Sequence, residues 1–329
     1  MKKMTKREFL KCFFKRIFFV ALVVLLFGFT LTTKANDYET YVIVGGDAIG
    51  LNLHTGVFVT GKFDIDSENN LRKGDNIITI DKVKIDSIDD LKTVVSSSKK
   101  GDNIELEFKR DGILMKTVAK VCDKNGKNTL GIYVKDHVLG VGTLTYIKVN
   151  DFSFGSLGHS ACSDCVNVTG GNILKCNITG ITKGVKGYPG EKKAILDKQI
   201  IGNVKYNNDF GVFGEFVNFN YDNREVMKVA KVGDVKIGNA VIRTVIEGNK
   251  IEEFDIKIIE VEKQTENDTK GIKYIVTDEK LINKTGGIIQ GMSGSPIIQN
   301  NMLVGAVSHV IINDPLTGYG VYAEWMINF

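Results

Sequence analysis

Beyond residue 40, short apolar runs alternate with glycine and Asn/Asp turns along most of the chain. The runs are rich in Val, Ile, Thr, Tyr and Phe, and the chain has only three prolines. This pattern predicts a mainly β protein. One segment differs, since apolar residues recur at helical spacing over residues 87–98, at Ile88, Leu91, Val94 and Val95. It predicts a helix with Asp86 or Ser87 as its N-cap.

Residues 1–36 follow a separate pattern. A basic stretch precedes an uncharged apolar run over residues 17–31, which is the arrangement of an export signal. The run is shorter than the roughly 20 residues of a spanning helix, but Thr32 and Thr33 extend it. A cleaved signal and an N-terminal membrane anchor therefore both remain open. The basic end is expected to stay in the cytoplasm, which places the rest of the chain outside it.

The distribution of charge bears on possible partners. The formal net charge is +4, but the first 33 residues contain seven Lys and Arg against one Glu, so the remainder is slightly acidic. Because the excess of basic residues lies wholly in the leader, no nucleic-acid partner is expected.

The first module is predicted to span residues 37–122. Its order of a strand, a glycine loop, hairpin strands, the helix at 87–98 and an alternating strand resembles a PDZ domain. Such domains add an extended peptide to a sheet edge, and backbone N–H groups hold the terminal carboxylate. The resemblance implies peptide C-termini or internal strands as partners; the alternative is a small β domain whose glycine loop is only a turn. The PDZ resemblance places the carboxylate-binding loop at Ile49, Gly50, Leu51, Asn52 and Leu53.

A polar stretch at residues 123–128 is predicted to be a linker to a second module over residues 129–329. That module contains the segment GGIIQGMSGSP, in which two serines lie among glycines. A serine hydroxyl is a weak nucleophile unless a base takes its proton and backbone donors receive the oxyanion. Glycines beside Ser293 permit a sharp turn that directs the N–H groups of Gly291 and Ser293 to one point. Ser295 is the alternative nucleophile, and an ordinary hairpin turn is the alternative structure.

Few histidines are available as the base. The chain has four, at positions 54, 137, 159 and 309. His159 ends a strand-like run and lies among glycines, where a base is both held and exposed. His309 is the rival base, although its strand is where a substrate would pair. Ser308 and His309 are therefore expected to shape the pocket for the residue before the scissile bond.

The segments GVGTLTYI, FGSLGH, GGIIQGMSGSPII and GYGVYAEWM together resemble the stage IV sporulation protein B family, in order and over nearly the whole chain. The resemblance implies a membrane leader, a PDZ domain and a chymotrypsin-like double β-barrel peptidase domain. It places the base on His159, the nucleophile on Ser293 and the acid on Asp278. On spacing alone, other candidates for the acid are Asp197, Asp209 and Asp234.

The resemblance also implies a function, that of an exported serine endopeptidase that needs no metal or organic cofactor. The protease would pass from the forespore into the space between the two membranes. There it would cleave a regulatory subunit of an intramembrane protease complex, so that a mother-cell sigma factor precursor is processed. It would also cleave itself near the leader.

One segment departs from the family pattern. His159 is followed by Cys162, Cys165 and Cys176, at a spacing compatible with structural zinc. A disulfide that also draws on Cys122, or free thiols, are the other interpretations. If zinc bound His159, the base would be lost. The alternative function is therefore a catalytically silent exported scaffold that carries a PDZ domain and a zinc or disulfide site near His159.

Overall fold

A computed structural model of the chain describes residues 39–63, 68–161, 168, 170–217, 220 and 224–328. The predicted leader at residues 1–36 lies outside the described residues. Within them, the helices are too short or too polar to cross a bilayer.

The described residues form a mainly β structure, as the sequence predicts. The helices are α1 (Ile88–Ser97), α2 (Glu279–Thr285) and α3 (Ala323–Ile327), with a 3-10 turn at Val232–Asp234. The strands are β1 (Tyr41–Val44), β2 (Ala48–Lys62), β3 (Asn76–Ile80), β4 (Val83–Lys84), β5 (Asn103–Arg110), β6 (Ile113–Lys120), β7 (Cys122–Lys124), β8 (Lys127–Thr129), β9 (Ile132–Lys148), β10 (Ser153–Ser156), β11 (Gly170–Thr182), β12 (Glu191–Asn208), β13 (Gly211–Phe216), β14 (Val226–Val229), β15 (Gly238–Val245), β16 (Ile251–Val261), β17 (Ile272–Val276), β18 (Pro296–Gln299), β19 (Met302–Ile311) and β20 (Asp314–Tyr322).

The first barrel closes through six antiparallel strands. The order of pairing is β2, β9, β10, β13, β12, β11 and back to β2. Alternate residues of these strands point inward, as the period of two along a strand requires. Ile49, Leu51, Leu144 and Ile173 are among the resulting core residues, and all are buried.

The second barrel closes in the same way. Its order is β15, β16, β17, β20, β19, β18 and back to β15. Ile242, Phe254, Tyr274, Ile297 and Tyr322 lie in its core. Two closed barrels leave few free strand edges, because each strand of a barrel has a neighbour on both sides.

The module that resembles a PDZ domain, called the PDZ module below, is formed where two strands of the first barrel continue beyond it. Residues Phe58–Lys62 of β2 pair with Ile132–Lys135 of β9, and the sheet continues through β3, β5 and β6. Helix α1 packs on this sheet through Val95. Ser87 is its N-cap and forms a capping box with Asp90, so the helix predicted from the spacing is present.

The module boundaries differ from those predicted. Residues 41–54 belong to the strands of the first barrel and its neighbour β1, and the PDZ module lies between residues 55 and 131 as an insertion. The predicted linker at 123–128 falls in the hairpin of β7 and β8. The strands β2 and β9 each run from the first barrel into the PDZ module. The pattern of apolar residues therefore gives no sign of the boundary between the two modules.

The interpretation of Ile49–Leu53 as a carboxylate-binding loop is wrong. These residues lie inside β2, which pairs with β9 on one side and β11 on the other. Their N–H groups therefore face neighbouring strands, and the side chain of Ile49 is fully buried. Gly50 lies in a closely packed strand and not in a turn, since a Cβ there would lie 2.6 Å from Leu196 Cδ2 and 3.3 Å from Leu174 Cβ.

An open strand edge occurs elsewhere in the PDZ module. Among the described residues, the segment 132–139 of β9 has a single strand partner, β2. Helix α1 approaches this segment, because the N–H of Ile88 donates to Asp136 Oδ2 at 2.8 Å. Leu91 and Val94 of α1 and Val134 of β9 are partly buried against the same core. The open edge thus lies near helix α1 and near partly buried apolar side chains.

Candidate active site

His159 and Ser293 meet although they come from different barrels. His159 follows β10 of the first barrel, and Ser293 lies in the loop before β18 of the second. The distance from His159 Nε2 to Ser293 Oγ is 2.8 Å, which is within hydrogen-bond range. The structure therefore brings together the predicted base and the predicted nucleophile.

A tight turn directs His159 toward Ser293. Leu157 and Gly158 both have left-handed backbones, with φ of 71° and 67°. A Cβ on Gly158 would lie 3.1 Å from the carbonyl oxygen of Val307 in the second barrel. Glycine thus allows the His159 turn to approach the second barrel closely, in a backbone conformation that other residues rarely adopt.

The second ring nitrogen of His159 fixes the proton arrangement. Its Nδ1 lies 2.7 Å from the carbonyl oxygen of Ser160. A carbonyl only accepts, so Nδ1 carries the proton and Nε2 is left as the acceptor. Asn207 holds this segment, because its Oδ1 accepts from Ala161 N at 2.8 Å and its Nδ2 donates to Ser160 Oγ at 2.9 Å.

The surroundings of His159 favour its neutral form. Burial lowers the pKa of the imidazole below its ordinary value, and the Ser160 carbonyl opposes this change in part. The ring of His309 lies 5.7 Å away between centroids. Burial and the neighbouring His159 both lower the pKa of His309. The base is thus ready to accept a proton near neutral pH.

The loop around Ser293 is held by its carbonyl groups. Five consecutive carbonyl oxygens accept hydrogen bonds: those of Gln290 (from Lys192 N), Gly291 (from Thr143 Oγ1), Met292 (from Ser295 N), Ser293 (from Thr143 N) and Gly294 (from Thr145 Oγ1). Two N–H groups are also engaged, since Met292 N donates to Ile289 O and Gly294 N to Val307 O. Every carbonyl of the turn is therefore satisfied internally.

Two N–H groups of the same turn remain available. Within the described part of the chain, neither Gly291 N nor Ser293 N has a hydrogen-bond acceptor. Gly291 has φ of +91°, a conformation that favours glycine. Donors held in advance by a rigid loop are what an oxyanion hole requires. The structure thus leaves free the two donors predicted from the sequence.

The neighbouring Ser295 is placed differently from Ser293. Its side chain is fully buried, and its Oγ has no hydrogen-bond partner among the described residues. Ser293 is partly exposed and contacts the imidazole. Only Ser293 combines access with a base.

The prediction of Asp278 as the acid is wrong in this structure. Asp278 is the N-cap of α2, and its Oδ1 accepts from Leu281 N at 2.8 Å. The Nδ1 of His159 bonds the Ser160 carbonyl instead. An aspartate just before a short helix is a common cap, which explains its position without a catalytic role.

The three other aspartates that spacing allows as the acid have different positions in the structure. Asp197 accepts from Gln199 N and Asp234 from Lys231 N, so both serve local turns. Asp209 lines the same cavity as His159, about 480 Å³ in volume, together with Asp268 and His309. Asp209 is exposed at the rim of this cavity.

The two residues expected to shape the substrate pocket have different positions. His309 lines the cavity beside His159. Ser308 is buried, and its Oγ lies 2.7 Å from Thr269 O and 3.1 Å from Tyr319 O. The hydroxyl of Ser308 is therefore engaged by backbone carbonyls of the loop before β17 and of β20.

The cysteines bear on the zinc and disulfide interpretations only in part, because Cys162 and Cys165 lie outside the described residues. Cys176 is a buried thiol in β11, and burial raises its pKa to about 11. Both ring nitrogens of His159 have protein partners. The residues that the structure describes contain no cluster of His, Cys, Asp and Glu able to hold a metal ion.

The sequence pattern does not predict four further residues of the site. Thr143 and Thr145 lie two apart in the otherwise apolar segment 138–147 of β9, and two polar residues on one face of such a segment are a signal that could have found them. Asn207 and Lys192 give no such signal, because asparagines near a strand end and lysines within a strand are ordinary surface residues in most sequences.

Comparisons with known proteins identify both modules. The family profile of the SpoIVB peptidase S55 matches residues 126–327, and that of the PDZ domain matches residues 52–121. No curated protein matches the chain.

Solved structures show more distant likeness. The PDZ domain of the SdrC-like protein Lmo2051 from Listeria monocytogenes is 26% identical, with a TM-score of 0.23, over 25% of this chain and 88% of that chain. The active form of the Rv3671c protease from M. tuberculosis is 15% identical, with a TM-score of 0.32, over 58% of this chain and 72% of that chain. Because these TM-scores are low, family membership rests on the sequence matches.

Asp278→Asn is expected to leave the reactivity of Ser293 unchanged, since asparagine is also a good N-cap and the carboxylate does not touch His159. The measurement is the rate at which a fluorophosphonate labels Ser293. Asn207→Ala serves as the contrast and is expected to slow labelling, because it frees the Ser160 segment. If Asp278 were the acid, its replacement by asparagine would slow the reaction by about 10⁴-fold.

The pKa of His159 is expected to lie below its ordinary value of 6.5, because burial disfavours the imidazolium. An NMR titration of the four histidines measures it, and His159→Gln assigns the resonance by its loss. A pKa above 6.5 would show that a carboxylate reaches the ring in solution.

Proposed function

The chain belongs to the SpoIVB peptidase S55 family and is a serine peptidase with a PDZ domain, and we propose that Ser293 and His159 carry out its reaction. The observation that carries the proposal is the 2.8 Å contact between His159 Nε2 and Ser293 Oγ. The order of histidine before serine, on two successive six-stranded barrels, supports the chymotrypsin-like class.

The chemistry follows from the proton arrangement. His159 Nε2 takes the proton of Ser293 Oγ as the oxygen attacks the peptide carbonyl. The N–H groups of Gly291 and Ser293 donate to the resulting oxyanion. His159 then gives its proton to the leaving amine, and water hydrolyses the acyl-enzyme through the same base. No step needs a metal or an organic cofactor.

The group behind the base distinguishes this site from a triad with a carboxylate. The Ser160 carbonyl orients the imidazole and offers a partial negative charge, whereas a carboxylate would offer a full one. The imidazolium formed during attack is therefore less stabilised. We expect a slow enzyme suited to a few chosen bonds, which agrees with a role in signalling.

The biological role is proposed from the family. The protease is exported from the forespore by its basic and apolar leader, or remains anchored in the membrane by it. In the space between the two membranes it cleaves a regulatory subunit of an intramembrane protease complex, and itself near the leader. A mother-cell sigma factor precursor is processed as a result. The PDZ domain supports this role, because it provides recognition of protein partners.

The PDZ domain is proposed to bind its peptide along the open edge of β9. Residues 132–139 offer unpaired backbone groups, and a PDZ domain binds by adding a strand at such an edge. The apolar side chains of Leu91, Val94 and Val134 border the edge. They favour a peptide with apolar residues at alternate positions, which would face these side chains.

Ser293→Ala and His159→Ala are expected to abolish fluorophosphonate labelling and self-cleavage of the full-length chain. Ser295→Ala is the matched control and is expected to be labelled normally, because its hydroxyl is buried away from His159. Labelling that persists in Ser293→Ala would place the nucleophile elsewhere.

Val94→Glu is expected to weaken binding of a fluorescent peptide with alternating apolar residues by roughly 10-fold or more, since an unpaired charge would lie among the apolar side chains beside the edge. Thr93→Glu, on the exposed face of α1, controls for the added charge. Fluorescence anisotropy measures both. Equal affinities for the two variants would contradict peptide binding along the edge of β9.

A further inference from the structure

Lys192 forms the support of the Gly291 donor. Its backbone N–H donates to Gln290 O at 3.0 Å. In a trans peptide the C=O and the next N–H point in opposite directions, so this bond directs Gly291 N–H away from β12. The stem of Lys192 also packs on Gly291, since a Cβ there would lie 3.0 to 3.2 Å from three of its methylene carbons.

The ammonium group of Lys192 lies behind the same loop. The residue is only 6% exposed, and its Nζ lies 2.7 Å from Thr244 Oγ1 and 3.4 Å from Thr143 Oγ1. No acidic side chain among the described residues pairs with it. Burial lowers its pKa to about 7, with Cys176 as the one opposing neighbour. A buried amine without a carboxylate partner is costly. Its place behind the loop that contains Gly291 indicates a role in supporting that loop.

The direction of each hydrogen bond follows from the groups involved. A carbonyl oxygen only accepts, so Thr143 donates its hydroxyl proton to Gly291 O and accepts from Lys192 Nζ. The single proton of that hydroxyl is then committed to Gly291 O, at 2.8 Å. Lys192 thus holds the two peptide groups on either side of Gly291. Its backbone N–H binds the Gln290 carbonyl, and its Nζ binds the Thr143 hydroxyl that donates to the Gly291 carbonyl.

We propose that Lys192 and Thr143 are positioning residues of the oxyanion hole, which hold Gly291 so that its N–H donates to the transition state. This inference rests on the proposed roles of Ser293 and Gly291. Neither side chain touches the substrate. Their effect is confined to the oxyanion, which exists in the transition state and not in the bound substrate, so the rate constant of the chemical step falls while substrate binding does not.

The experiment measures fluorophosphonate labelling of the full-length chain, with the maximal rate separated from the binding constant of the probe. The phosphoryl oxygen of the probe occupies the oxyanion hole. Thr143→Val is expected to lower the maximal rate by roughly 10- to 100-fold with the binding constant within about two-fold. Thr143→Ser keeps the hydroxyl and is expected to restore most of the rate. Lys192→Met keeps the packed stem and is expected to lose roughly 10-fold.

Thr55→Val is the matched control, because Thr55 is equally buried and its hydroxyl also contacts a backbone carbonyl, that of Gly56. It is expected to be labelled at the wild-type rate. Wild-type rates in Thr143→Val and Lys192→Met would overturn the inference, as would a failure of Thr143→Ser to restore the rate. If Thr143→Val does not fold, the labelling rates of Lys192→Met and Thr143→Ser test the inference in its place. Labelling in Ser293→Ala would instead refute the proposed function.

Discussion

The hydrogen bonds from β9 to the nucleophile loop are the contacts on which the active site depends. Thr143 binds the loop through its N–H and its hydroxyl, and Thr145 binds it through its hydroxyl. Both side chains are fully buried, and a buried hydrogen bond is expensive to leave unmade. These bonds join the two barrels at the place where the base and the nucleophile must meet.

In the proposed reaction, the chemistry of the site is spread over several weak contributions. A neutral base, a carbonyl behind it and two backbone donors take the place of a strongly charged triad. Each element is fixed by neighbours that never touch the substrate, such as Asn207 for the base and Lys192 for the donor. Because the groups are held before the reaction begins, little reorganisation accompanies the appearance of charge.

The residues whose chemistry is rare can be predicted from the sequence. Four histidines and one glycine-flanked serine turn leave few choices, so the residue pattern, together with the family resemblance, predicts the pairing of His159 with Ser293 that the structure contains. The predictions for Asp278 and the segment Ile49–Leu53 are wrong, because a helix cap looks like a triad acid and a glycine in a buried strand looks like a loop. These distinctions depend on contacts made across the fold, as does the burial of Lys192. Local pattern contains none of that information.

The insertion of the PDZ module changes how the first barrel closes. Ala48 pairs with Thr143, so this antiparallel pair is a hairpin whose connecting loop is an entire domain. An unstructured loop of that length would add an entropic cost to closure, and long-range pairing slows folding. Once the PDZ module has folded, however, β2 and β9 leave it already side by side and in register. The folded module then holds β2 and β9 of the barrel together. A fragment that begins at residue 129 contains β9 but lacks β2.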